Sequence, residues 1–236
     1  MKKMYKIFAF LLFVLMACSQ NVEPKYMGHE YVGVRYVNNP LGEEFWPDTD
    51  PLIRFDAFDC MTFVETVLAD GNVDKLTQIR YKNGEIKFTN RNHFTELDWI
   101  PNNSDRVYDV TEKFGTVSTR NVTIDKKSWF KKTHNINTDF EPVTVSVKYV
   151  SYADLKPIKT DHELIVLFVI EDPKMRDKIG SDLSIAHMGF LLPNGMLRHA
   201  SSKQESVVDV DFNEYVSARS KNKTHLGVAF YGIKND

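Results

Sequence analysis

Beyond residue 18 the chain has a single cysteine, Cys60. One thiol closes no internal disulfide, so whatever this chain folds into must be held by a packed core without covalent staples. The composition allows that. Of 236 residues, 42% are hydrophobic and 12% aromatic, which suits one domain with an elaboration. The 30 basic residues nearly balance the 32 acidic ones, and no basic stripe stands out, which argues against a nucleic-acid partner.

The N-terminus has the layout of a targeting segment. Lys2, Lys3 and Lys6 form a positive region, and Ile7 to Met16 is apolar. Leu15-Met16-Ala17-Cys18 then resembles the lipobox of bacterial lipoproteins. That resemblance implies a signal peptide at 1–17, a lipid-modified Cys18, and a membrane partner through the lipid anchor. The expected location is the cell envelope, periplasm-facing or at the outer membrane. Residues 18–30 then form a tether, and 31–236 the folded domain.

Within that domain, 31–58 is rich in Pro, Asp, Asn and aromatics and reads as an ordered loop region. Asp59 to Ala69 reads as a helix: Phe63, Val64, Val67 and Leu68 recur at helical spacing, Asp59 is a good N-cap, and Asp70-Gly71 stops it. Ile79–Tyr81 and Ile86–Phe88 flank Lys82-Asn83-Gly84-Glu85, which predicts a hairpin. Val117–Ile124 alternates like a strand, and Asp125 is placed to cap a short helix around Trp129 and Phe130. After residue 140 the pattern is mostly β, with strands expected at 143–150, 164–170, 185–192, 196–200 and 226–233, and a short helix at 211–218. One cysteine-bearing helix followed much later by an antiparallel sheet is an α+β pattern.

The thiol is the natural centre of any chemistry. A thiol attacks as thiolate, and a helix N-terminus lowers its pKa through free N–H groups and the helix dipole, so Cys60 is expected to be acidified. The same N–H groups can hold an oxyanion. The base must be an imidazole. In Ile185–Leu192, Ala186, Met188, Phe190 and Leu192 share one apolar face, while His187 shares the other with Gly189, where the missing side chain leaves room. Pro193-Asn194-Gly195 is a turn. A three-residue loop would pair Leu192 with Met196 and place His199 diagonal to His187 on the same face. A two-residue loop would send His199 to the opposite face.

Asp59-Cys60 opening a helix, His187-Met188-Gly189, and His199 on the next strand resemble the NlpC-type papain-like cell-wall peptidases. Phe58-Asp59-Cys60-Met61-Thr62-Phe63-Val64-Glu65 departs from the Asp-Cys-Ser-Gly found in many members, and is similar to a narrower branch, the N-acetylmuramoyl-L-alanine amidase-like family. Arg91-Asn92-His93-Phe94, Asp98-Trp99-Ile100, Leu197-Arg198-His199-Ala200-Ser201-Ser202 and Gly33-Val34-Arg35-Tyr36 add to that likeness. The resemblance implies a papain-like fold, its nucleophile helix packed on an antiparallel sheet, with a large insertion in the 127 positions from Cys60 to His187. It implies Cys60, His187 and His199 as the catalytic set, and Tyr36, Asp59, Thr62, His93, Asp98 and Trp99 as substrate-binding. For Trp99, a place in the core is the competing reading.

The implied partner is peptidoglycan or a muropeptide, cut at the bond from muramic lactyl to L-Ala, without a cofactor or metal. Alternatives are a stem-peptide endopeptidase or a non-catalytic muropeptide-binding lipoprotein. Cys60, His187 and His199 are also an acceptable zinc set, though the compact His-Glu-x-x-His spacing is missing.

Overall fold

The computed structural model describes residues 25–234. The expected signal peptide and Cys18 lie outside the described residues. Among the described residues no helix is long and apolar enough to cross a membrane.

The fold is α+β, built on one large and mostly antiparallel sheet. In chain order the strands and helices are β1 (Arg35–Tyr36), β2 (Ala57–Phe58), α1 (Cys60–Leu68), α2 (Val73–Arg80), α3 (Ile100–Asn102), β3 (Val107–Asp109), β4 (Gly115–Ile124), α4 (Lys126–His134), β5 (Val143–Leu155), β6 (Leu164–Ile170), α5 (Met175–Ile179), β7 (Ile185–Leu191), β8 (Met196–Ser201), β9 (Ser206–Asp211), α6 (Phe212–Arg219) and β10 (His225–Ile233). The sheet runs β2-β1-β9-β8-β7-β6-β10-β5-β4, with β3 added to one end of β10. Among the described residues only β1 and β2 pair in parallel.

Every residue of β6, Leu-Ile-Val-Leu-Phe-Val-Ile, is buried, as a central strand covered on both faces must be. Its side chains alternate between two cores. Ile165, Leu167 and Val169 join Phe63, Val64 and Phe190 beneath α1, while Leu164, Val166 and Phe168 join Phe212 and Val216 of α6. The helices α1 and α6 therefore press on opposite faces of one sheet.

The hairpin expected around Lys82-Asn83-Gly84-Glu85 does not form. Asn72 accepts a hydrogen bond from the Lys75 N–H and starts α2, which buries Leu76 and Ile79 and runs to Arg80. A 3-10 turn at Lys82–Gly84 and another at Phe88–Asn90 follow. Helical spacing of buried residues outweighed the Asn-Gly signal, and Asn83 and Gly84 still adopt positive φ, 55° and 69°, inside a non-strand turn.

Packing begins within the stretch read as a tether. Tyr26 and Met27 lie against the core, and buried Arg198 donates to both of their carbonyls at 3.0 and 2.9 Å while pairing with Asp209.

Candidate functional site

Asp59 and Thr62 shape the tip of α1. Asp59 Oδ1 accepts from the Thr62 N–H at 2.8 Å and from its hydroxyl at 2.8 Å, and Thr62 Oγ1 accepts from the Asp59 N–H at 2.9 Å. This reciprocal cap satisfies donors that a helix start leaves orphaned. Asp59 Oδ2 also accepts from the Asn39 N–H at 3.1 Å. Both side chains were expected to touch substrate. Their polar atoms are engaged by the cap and by the Asn39 N–H instead, and Thr62 is buried. What they do is position the next residue, Cys60.

Cys60 is partly exposed, and its sulfur faces the backbone N–H groups of Met188, Met61 and Cys60 itself. The Met188 contact falls where the sheet opens. β7 and β8 pair at Phe190–Arg198 and Leu191–Leu197, and the ladder stops there. Continued, it would set Met188 against Ala200; the tip of α1 meets β7 at that gap. Burial, followed by the negative charge of Asp59, pushes the Cys60 thiol up to about 12. This reverses the expected acidification. The N–H groups do favour the thiolate, but desolvation of a charged sulfur outweighs them. Iodoacetamide should therefore alkylate Cys60 at pH 7 at least ~10-fold slower than a free thiol of pKa about 8.5. Mass spectrometry of a time course checks this, and an alkylation rate above that of free cysteine would contradict it.

His187 and His199 meet directly. The Leu192 N–H donates to the Met196 carbonyl at 2.8 Å, so the connecting loop has three residues. His199 then shares a face with His187, and His187 Nε2 lies 2.8 Å from His199 Nδ1, the rings nearly perpendicular at 86°. Gly189 permits this approach. A Cβ there would sit 2.8 Å from the His199 Cβ and 2.7 Å from the Arg198 carbonyl oxygen. Because Nε2 of His187 is engaged, Nδ1 is the ring nitrogen left to take a proton. That use requires His187 to donate through Nε2–H, with His199 Nδ1 accepting. Burial, then His199, then Arg219 hold the His187 imidazole well below its ordinary range. His199 is lowered to about 4 by burial and then by Arg219. Thiol and imidazole are thus both uncharged at neutral pH. As to a metal, the two ring nitrogens face one another at hydrogen-bond distance, and among the described residues no three His, Cys, Asp or Glu side chains form a ligand group.

Tyr36, on β1, is half-buried, and its phenol feels the charges of Cys60 and Asp59. Burial first, then those charges, push it up to about 12, so it keeps its proton. The other three expected substrate contacts lie elsewhere. Trp99 is fully buried in the core, which corrects its assignment to the cleft. His93 binds the Phe88 carbonyl at 2.7 Å and packs among Phe88, Trp129 and Phe130. Asp98 holds Lys126 at 2.9 Å and accepts from the Phe94 N–H. His93 and Asp98 thus pack against α4, and Trp99 fills the core.

Two residues not singled out in the sequence cover the imidazole pair. Tyr215 on α6 lies 5.1 Å from His199 and 6.2 Å from His187 between ring centroids, and Arg219 donates to its hydroxyl. The helix was legible, and so was the spacing of four between a tyrosine and an arginine. Its position over two histidines depends on tertiary packing.

Residues 26–225 match the family described as N-acetylmuramoyl-L-alanine amidase-like. No curated protein matches the chain. Among solved structures, a Legionella pneumophila protein is similar at 25% identity and a TM-score of 0.80, covering 89% of this chain and 87% of that one. An N-acetylmuramoyl-L-alanine amidase from Bacteroides uniformis is similar at 25% identity and a TM-score of 0.68, over 88% of this chain and 96% of that one. A putative xylanase from Bacteroides fragilis, at 23% identity, a TM-score of 0.66, and 86% and 97% coverage, shares the fold.

Proposed function

From the premise that this chain belongs to the N-acetylmuramoyl-L-alanine amidase-like family, we propose that it hydrolyses the amide joining the muramic lactyl group to L-Ala, with Cys60 as nucleophile and His187 as base, on a papain-like arrangement of helix and sheet. The observation that carries the reading is the junction at Met188. Its N–H faces the Cys60 sulfur, and the residue before it in the strand, His187, carries an imidazole held 2.8 Å from that of His199.

The resting pair is neutral, so attack and proton transfer go together. His187 Nδ1 takes the thiol proton as sulfur bonds to the carbonyl carbon. The carbonyl oxygen becomes an oxyanion, held by the Cys60 N–H and by the protonated Tyr36 hydroxyl. His187 returns the proton to the departing amine of L-Ala, leaving a thioester. Water then attacks, gives its proton to His187, and displaces the sulfur, which recovers that proton. His199 keeps the His187 ring in one tautomer throughout. No cofactor enters. The lipobox reading supplies the setting: an envelope enzyme anchored through a lipidated Cys18.

Incubating residues 19–236 with digested peptidoglycan, and weighing the products, tests this. The expected products are glycan ending in a free lactyl carboxylate and peptide with a new L-Ala N-terminus. Glycan still carrying L-Ala would indicate a stem-peptide endopeptidase, and bound but unchanged substrate a binding protein. Because burial holds His187 below about 6.5, the usual imidazole value, the base stays neutral as pH falls. Activity should therefore persist below pH 6.5, and the acid limb of kcat/KM should lie beneath it. An acid limb at or above 6.5 would remove the depressed His187 from the role of base.

A further inference from the structure

Among the described residues, Trp46 is the most exposed large hydrophobic side chain, at 75%, and Phe45 beside it is 50% exposed. It sits at the tip of a tight turn, where Phe45 and Asp48 pair and the Glu43 N–H donates to the Asp48 carbonyl at 3.0 Å. The turn is anchored from beneath by charges. Arg91 donates to Glu43 at 2.9 and 2.8 Å, to Asp48 at 2.8 Å and to Asn39 at 3.2 Å, and the Tyr81 hydroxyl donates to Glu43 at 2.9 Å. Gly42 completes the clamp, since a Cβ there would lie 2.5 Å from Asp48 Oδ1.

Buried ion pairs are weak sources of stability and good devices for fixing one geometry. Here the geometry fixed is that of a solvent-facing tryptophan. The root of the loop is continuous with the candidate site: the Asn39 N–H binds the carboxylate of Asp59, the residue that caps the helix of Cys60. An indole face presented to water, on a loop whose root is hydrogen-bonded to the cap of the Cys60 helix, suits a pyranose ring, whose axial C–H bonds form a flat apolar face between polar edges.

We propose that Trp46 is the platform on which the N-acetylhexosamine of the substrate stacks, so that this protein prefers glycan-bearing over sugar-free substrates. The inference rests on the proposed amidase reading. The substrate contact expected of Trp99, which is buried, passes to Trp46, which is held out on the Arg91 clamp.

The test compares a muramyl peptide with the same peptide carrying only a lactyl group, which keeps the scissile amide and lacks the sugar. In Trp46→Ala the ratio of kcat/KM for the two substrates should fall ~10-fold or more, and Trp46→Phe should retain most of it. A ratio within ~2-fold of wild type in Trp46→Ala would overturn the proposal. A second arm needs no turnover. In Cys60→Ala protein, titration with the peptide-free disaccharide should change tryptophan fluorescence, and the change should vanish when Trp46→Ala is added; Trp99 is buried and Trp129 packs inside an aromatic cluster. No change up to millimolar sugar would sink the platform. If wild type cleaves neither substrate, the amidase reading fails and the fluorescence arm decides on the platform alone.

Discussion

Cys60→Ala is expected to lose at least ~10⁴-fold in turnover of muropeptide while unfolding within ~1 kcal/mol of wild type. The two halves of this outcome have separate causes. Turnover falls because alanine offers no atom to bond the carbonyl carbon, and the remaining N–H groups and imidazoles can only polarise it. Stability holds because the tip of α1 is capped by Asp59 and Thr62, not by the thiol. The loss is limited to one small, partly exposed group and the contact with the Met188 N–H. Cys60→Ser restores an acceptor for that N–H and should recover stability without recovering activity, since a desolvated hydroxyl is harder still to deprotonate. Product mass and denaturant unfolding measured on the same samples check both halves. Full turnover in Cys60→Ala would remove the thiol from the mechanism whatever the geometry.

Much of this arrangement was legible because it is local. The cap at Asp59, the helical spacing through Phe63 and Val67, and the alternation along 185–192 each depend on neighbours in sequence. The meeting of His187 with His199 was legible only as one of two outcomes: a three-residue loop brings them to one face, a two-residue loop parts them, and the structure takes the former. What was not legible is long-range. Helix position alone predicts an acidic thiol; burial against β7, a fact of tertiary packing, raises it. Likewise Trp99 and Trp46 are the same residue type in loop-like stretches, and only the assembled core decides that one is enclosed and the other presented. The failed hairpin after Ile79 shows the same limit. Its Asn-Gly turn chemistry is real, but α2 takes the preceding residues because Leu76 and Ile79 find a core on that face.

The ion pair beneath α1 gives the second large expectation. Arg80 Nη1 lies 2.8 Å from Glu65 Oε2, both side chains at most 3% exposed, and its Nη2 donates to the Leu41 carbonyl at 3.2 Å. One guanidinium thus ties together α2, α1 and the loop that leads to Trp46. Arg80→Ala should destabilise the protein by about 3–5 kcal/mol, because Glu65 is left as a buried carboxylate without its partner.

The loss should depend on pH in a definite direction. Burial pushes the Glu65 carboxyl above the ordinary carboxylate range, with the Arg80 guanidinium pulling against it. Without Arg80 the folded-state pKa rises further, while the unfolded value stays near about 4.3. As pH climbs past that value the unfolded chain releases a proton that the folded variant retains, so ionisation favours unfolding. The deficit of Arg80→Ala relative to wild type should therefore be smaller at pH 4.5 than at pH 7.5. Urea unfolding at the two pH values measures it, and equal deficits would mean that the buried carboxylate is not the source of the loss. Replacing both partners, Arg80→Leu with Glu65→Leu, removes the stranded charge and should recover most of the stability and abolish the pH dependence. Activity should not follow, because the apolar pair no longer holds the Leu41 carbonyl and the loop beyond it is free to shift.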